Sequence, residues 1–229
     1  MIKTILFDLD NTLFDFTKAE GIALAKTLVH LGINPEKEIL ERYSVINLAQ
    51  WKLLEQKKIT RAELKIRRYK LLFEEFGFKC SPEEAAKTYE EFLSMGHYFM
   101  NGAEELLENL CKKYNLYVIT NGITKVQKGR IKSANLKKYF KDIFISEEIG
   151  YDKPSIEYFE HCFKRIEDFK KENAVIIGDS LSSDIQGGVN AGVKTIWFNP
   201  KGEKNNSSVK PDYEVSDLKE IEKLLEKIK

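Results

Sequence analysis

Two carboxylates close the first apolar run of the chain, Ile5-Leu6-Phe7-Asp8-Leu9-Asp10-Asn11-Thr12. In an extended strand, residues two apart share a face, so Asp8 and Asp10 are expected to project together from its carboxyl end. Like charges held that close raise each other's pKa, and desolvation beside an apolar sheet raises them further. A divalent cation between them relieves the repulsion; so does one carboxyl kept protonated, as an acid or base beside a nucleophile.

Other apolar runs also end in polar groups. Thr120 leads into Asn121 and Gly122, Gly150 is followed by Lys153-Pro154, and Gly178-Asp179 is followed by Asp184. Asp8 and Asp179, with Asp184 beside them, make an oxygen-rich set of the kind that suits magnesium, which takes few carboxylates and keeps several waters. Thr120 offers a donor and Lys153 a cation to an oxyanion, and Gly122 lets the backbone approach it. A metal, a nucleophilic carboxylate, a second carboxyl and a phosphate cradle together describe phosphoryl transfer.

These groups need a scaffold that gathers strand ends. Apolar runs at 116–120, 143–146, 174–178, 193–198 and, more weakly, 213–215 predict buried strands. Helical spacing fills the gaps, as in Ala103, Leu106, Leu107 and Leu110, or Leu218, Ile221, Leu224, Leu225 and Ile228. Strand alternating with helix predicts a parallel sheet covered on both faces, whose ligands sit beyond the carboxyl ends of its strands. The interval from about 14 to 100 lacks strand signals and carries helix starts, a capping box at Thr60-Arg61-Ala62-Glu63 and a cap with proline at Ser81-Pro82-Glu83-Glu84. A block that long between two strands is an inserted domain.

At 229 residues the chain holds one good core plus a small insertion. A net charge of +1 gives no global attraction to a nucleic-acid polymer or an anionic membrane. Cys80, Cys111 and Cys162 lack paired spacing and read as buried thiols of a reducing compartment. The first residues have no basic region and are too short for a membrane span, so a cytoplasmic location is expected.

In order, Asp8-Leu9-Asp10-Asn11-Thr12, Thr120-Asn121-Gly122, Lys153-Pro154 and Gly178-Asp179 through Ser183-Asp184 resemble the four motifs of the haloacid dehalogenase-like hydrolase superfamily. The resemblance implies an α/β fold, a Rossmann-like parallel sheet core with an all-helical cap domain inserted after the first strand. The core would comprise residues 1–14 and 101–229, and the cap residues 15–100. It also implies roles: Asp8 as the nucleophile that forms an aspartyl-phosphate, Asp10 as general acid and then base, and Thr120, Asn121 and Lys153 as phosphate-binding residues. Magnesium (Mg2+) would be held by Asp8, the main-chain carbonyl of Asp10 and Asp179, with Asp184 supporting the metal's waters or Lys153.

Two details point within the superfamily to hydrolysis of a phosphate monoester. The dehalogenase branch lacks the second acid, present here as Asp10, and the sugar-phosphate mutases usually carry Glu-Asp where this chain has Gly178-Asp179. The segments Ile119-Thr120-Asn121-Gly122, Ser146-Glu147-Glu148-Ile149-Gly150 and Ser183 through Gly192 are similar to those of the house-cleaning pyrimidine 5'-nucleotidases, as is the outline of the cap from Gln50-Trp51 to Arg67. Lys57 departs from that pattern, standing where those proteins tend to place glycine in a cap turn. A small phosphorylated substrate, a nucleoside monophosphate, is the resulting expectation. A phosphatase for phosphoglycolate or a sugar phosphate is the enzyme alternative, and a non-catalytic binding protein on the same fold the third reading.

The remaining features have plainer readings. Gly187, Gly188 and Gly192 read as helix-to-strand packing and a turn, and His30, His97 and His161 as surface or cap-packing residues. Lys57, Lys58, Arg61, Lys65, Arg67, Arg68 and Lys70 read as a solvated helix face, with Arg67 the candidate to reach a substrate. Trp51 reads as cap core that could also stack a nucleobase. The sequence leaves the oligomeric state open.

Overall fold

A computed structural model describes residues 1–228. Strands β1 (Thr4–Phe7), β2 (Asn115–Thr120), β3 (Asp142–Ile145), β4 (Ala174–Gly178), β5 (Lys194–Phe198) and β6 (Tyr213–Val215) form one sheet in the order β3-β2-β1-β4-β5-β6. Every pairing in it is parallel. The chain moves outward from β1 to β3 and then returns to place β4 on the other side of β1. The β1/β4 edge is therefore the topological switch point, where an open α/β sheet leaves a crevice beyond its strand ends.

Alternation along the strands supplies both faces. Ile5, Phe7, Val118, Val175 and Ile177 point into one apolar layer, and Leu6, Ile119 and Ile176 into the other. The first layer is covered by α5 (Ala103–Leu110) and the C-terminal helix, the second by the helix at Ile156–Arg165. Each large aliphatic or aromatic side chain buried in these layers contributes about 1.5–3 kcal/mol. Gly187 and Gly188 take the packing role expected of them: a β-carbon would lie 2.5 Å from Phe159 at the first and 2.3 Å from Thr195 at the second.

Between β1 and β2 stand α1 (Phe16–His30), α2 (Lys37–Glu55), α3 (Arg61–Phe76) and α4 (Pro82–Met95), a helical cap with its own core of Leu24, Leu28, Tyr43, Tyr69, Leu72 and Tyr89. Both expected starts are present. Thr60 and Glu63 form a reciprocal capping box, and the Ser81 side chain accepts from the Glu84 amide with Pro82 in the first turn. The two connections to the sheet run side by side: Asp15 N donates to Tyr98 O at 2.7 Å and Met100 N to Leu13 O at 2.9 Å. Lys57, in the turn between α2 and α3, has φ +57°, a conformation that glycine reaches without steric cost.

Two expectations change. Only Cys162 is buried, while Cys80 and Cys111 are half-exposed and all three are free thiols. The strand β1 ends at Phe7, so Asp8 and Asp10 lie in the loop beyond it rather than on one face of an extended strand. Among the described residues no helix is long and apolar enough to cross a membrane.

Candidate active site

Three carboxylates gather at the switch point. Asp8 directly follows β1 and fixes itself to β4 by donating its amide to Ile177 O at 2.8 Å. Asp179 directly follows β4, and Asp184 stands on a single π turn, Leu181–Ile185, capped by the Ser180 side chain. One oxygen from each lies within 4.8 Å of the other two. Gly178 makes this possible, because a β-carbon there would lie 2.3 Å from Asp184 Oδ2.

Lys153, 1% exposed, is wedged among them. Its Nζ donates to Asp8 Oδ1 at 2.7 Å, Asp184 Oδ1 at 2.7 Å and Ile119 O at 3.0 Å. An ammonium has three protons, and all three are committed. Lys153 therefore ties Asp8 to Asp184, and a phosphoryl oxygen reaches it only by sharing or replacing one of these partners. Asn121 is spent in a similar way: its side-chain amide exchanges bonds of 2.8 and 2.9 Å with the Lys153 backbone. That side chain braces the Lys153 loop, and Asn121 itself remains in the lining of the cavity beside Thr120.

Three carboxylates, buried at Asp8 and Asp184 and half-buried at Asp179, leave an excess of negative charge around one ammonium. Burial and the neighbouring Asp184 push the Asp8 carboxyl up to about 7, and burial together with Asp8 raises Asp179 in the same direction. The same excess holds Lys153 charged in spite of its desolvation. A raised carboxyl binds its proton more tightly in the folded than in the unfolded protein, so the folded state loses stability as pH climbs from the ordinary carboxylate range through about 7. The metal-free protein is thus expected to melt several degrees lower at about pH 8 than at about pH 5, and magnesium to restore most of that loss. Melts in chelator that are flat or rise across this interval would contradict the excess-charge account.

Asp10 has separate partners, so the two motif carboxylates do not share one cation. Arg130 and Gln127, both buried on α6 (Thr124–Ser133), hold it: Arg130 Nη1 ion-pairs with Oδ1, and Gln127 Nε2 donates to Oδ2 at 2.7 Å. Gln127 Nε2 also donates to Thr120 Oγ1 at 2.8 Å, and Gly122 N donates to the same oxygen at 3.2 Å. With its acceptor positions used, the Thr120 hydroxyl has its proton left to give to an oxyanion. Gly122 also serves a purpose beyond the one expected. A β-carbon there would lie 2.3 Å from Gln127 Nε2, so the glycine makes room for the glutamine.

The cap closes over these groups through charged contacts. Arg61 donates to Asn121 O at 2.8 Å and Ser146 Oγ at 2.9 Å and ion-pairs with Asp152, while Lys65 pairs with Glu147 at 3.0 Å. Glu55 accepts from Ser182 at 3.2 Å. The cavity between cap and sheet, about 200 Å³, has Asp8, Asp10, Thr120 and Lys153 on its core side and Trp51 and Arg68 on its cap side. Trp51 packs on the cap core as well and carries Arg61 over its ring at 5.7 Å. Arg67 is exposed and does not line this cavity, so the structure does not bring it to the site. The basic stretch is also not one solvated face, because Arg61, Lys65 and Arg68 all turn inward.

Sequence reasoning missed Gln127, Arg130, Arg61 and Arg68. A signal existed for the first two: Val126, Gln127, Arg130 and Ile131 form the buried side of α6, and a glutamine and an arginine on such a side need polar partners. The histidines take no part in the acidic cluster; His30 lies 3.7 Å from Glu84 on the surface and His161 is exposed.

A Rossmann-like sheet with a helical cap over an acidic switch point defines a capped α/β fold with its carboxylates gathered in the crevice. Residues 5–198 match the haloacid dehalogenase-like hydrolase family, and the chain belongs to that family. It is 40% identical to the pyrimidine 5'-nucleotidase PynA of Streptococcus pneumoniae, over 98% of this chain and 95% of that protein. It is 38% identical to the HAD-hydrolase YfnB of Bacillus subtilis, over 97% of this chain and 95% of the relative. The magnesium-bound crystal structure of YfnB superposes with a TM-score of 0.94 across 98% of both chains.

Proposed function

We propose that the protein is a divalent-metal-dependent phosphatase that hydrolyses pyrimidine nucleoside 5'-monophosphates through an aspartyl-phosphate on Asp8. The observation that carries this reading is Asp8 at the switch point, held by Lys153 at 2.7 Å, beside a Thr120 hydroxyl with its proton to give. An Asp8 oxygen attacks phosphorus as the bond to the leaving oxygen breaks, and Asp10 gives that oxygen its proton. Asp10 then takes a proton from water, which attacks the same phosphorus and releases Asp8. Arg130 and Gln127 hold the Asp10 carboxyl in place for these transfers, and Trp51 and Arg68 of the cap wall the cavity opposite it.

Asp8, Asp179 and Asp184 fit a hard cation: three oxygens converge where one ammonium leaves excess charge. The resemblance adds the Asp10 main-chain carbonyl. Bound magnesium would keep Asp8 ionised near neutral pH and neutralise charge on the transferring group. The pyrimidine preference is supported by PynA and by the aromatic and apolar cap wall around Trp51. The test is phosphate release from a panel of pyrimidine and purine monophosphates, phosphoglycolate and sugar phosphates. Pyrimidine monophosphates, deoxy forms included, are expected to lead. Calcium, which accepts more ligands and grips both oxygens of a carboxylate, is expected to inhibit. A hexose phosphate or phosphoglycolate in first place would overturn the substrate, and undiminished turnover in excess chelator would overturn the metal.

A further inference from the structure

We propose that Arg68 is the specificity-determining residue of the cap, and that its free guanidinium edge reads O2 of a pyrimidine base. The inference rests on the nucleotidase reading above. Arg68 is 1% exposed and lines the cavity, yet its Nε and Nη2 are buried without a hydrogen-bond partner among the described residues.

The rest of the side chain is firmly held. Nη1 donates to Asn47 Oδ1 at 3.0 Å, and Asn47 Nδ2 donates to Glu20 Oε1 at 2.6 Å, so a buried carboxylate balances the guanidinium through one amide. The Glu20 carboxylate is held in turn by Ser44. The guanidinium carbon lies 4.9 Å from the centre of the Tyr89 ring and 5.3 Å from that of Tyr69. These contacts fix the plane of the fork.

An arginine keeps its charge even when buried, so the unpaired edge cannot escape by deprotonation. Each buried donor without an acceptor has given up water and gained nothing in its place. An acceptor that enters with substrate and displaces the side chains now covering this edge removes that cost. Nε–H and Nη2–H lie side by side, which suits two acceptors on one edge of a planar group. Cytosine presents O2 and N3 in that arrangement, and uracil and thymine present O2 to both donors. Trp51, on the same side of the cavity, supplies a flat apolar surface for such a ring. A carboxylate would offer the same acceptor pair, whereas ribose 5-phosphate offers no planar acceptor in place of the base.

The test compares wild type with Arg68→Lys, which keeps a buried cation but loses the fork, on cytidine 5'-monophosphate, phosphoglycolate and ribose 5-phosphate. The ratio of kcat/KM for the cytidine nucleotide to that for ribose 5-phosphate is expected to fall roughly thirty-fold in the variant. A second comparison needs no mutation: the 5'-monophosphate of a phenyl C-riboside keeps the ring but lacks acceptors, and should fall behind the cytidine nucleotide by a similar factor in wild type. An unchanged ratio in a folded variant, or a phenyl substrate as good as cytidine, would overturn the proposal. A loss on phosphoglycolate that spares the cytidine nucleotide would overturn it in favour of a carboxylate partner. Wild type that does not prefer cytidine over ribose 5-phosphate would instead remove the nucleotidase reading on which the proposal stands.

Discussion

Replacing Asp8 with asparagine is expected to lower turnover by at least about four orders of magnitude while leaving the fold intact. The amide is nearly isosteric, and its oxygen can still accept from Lys153, which now donates to Asp8 Oδ1 at 2.7 Å. It is a poor nucleophile, so the phosphoryl group has no acceptor. The substitution also removes one of the three negative charges around a single ammonium. Melting at neutral pH in chelator should therefore rise rather than fall. Phosphate release and thermal melts on the same preparation check both halves, and turnover within tenfold of wild type would exclude Asp8 as nucleophile.

The second large effect is expected at Lys153, where methionine keeps the length of the side chain and removes its charge. Asp8 and Asp184 would then be buried beside each other with no counter-ion, and breaking a buried pair in this way costs roughly 3–5 kcal/mol. Turnover should be lost as well, because nothing would hold the Asp8 oxygen in place. The loss of stability should be greater at about pH 8 than at about pH 5, where the carboxyls can protonate. Urea denaturation at the two pH values measures it. A variant as stable as wild type at the higher pH would show that Lys153 is not what balances these carboxylates.

The sheet and the motif carboxylates were readable because a parallel sheet imposes two local signatures, continuous apolar runs for its doubly buried strands and polar residues at their carboxyl ends. Thr120, Lys153, Asp179 and Asp184 sit where those signatures put them. Contacts between distant segments left no such trace. The pair Asp10 and Arg130 spans 120 positions, and Arg61 reaches Asn121 across 60. Arg68 was readable in principle. Leu64, Arg68, Tyr69, Leu72 and Phe73 form the buried stripe of α3, so helical phase turns Arg68 inward and Arg67 outward. Treating the seven cations as one solvated face hid that phase. The second acceptor task of Thr120 was equally hidden, because it depends on Gln127 crossing the space that Gly122 leaves open.

The two peptide connections between cap and sheet lie against each other, joined by Asp15 N to Tyr98 O, Met100 N to Leu13 O and a bridge between Phe14 and Phe99. From the sheet's standpoint the cap is thus a loop whose ends already meet. Closure entropy grows only with the logarithm of loop length, so shortening or lengthening such a loop changes the stability of the sheet by a fraction of a kcal/mol per doubling, about 0.6. Evolution can therefore rebuild the cap helices at little thermodynamic risk to the motif carboxylates, which all lie outside the loop. The length of the cap and the framework of the acidic site are thus separate variables as far as chain entropy goes, coupled instead through contacts such as Arg61 with Asn121 and Lys65 with Glu147.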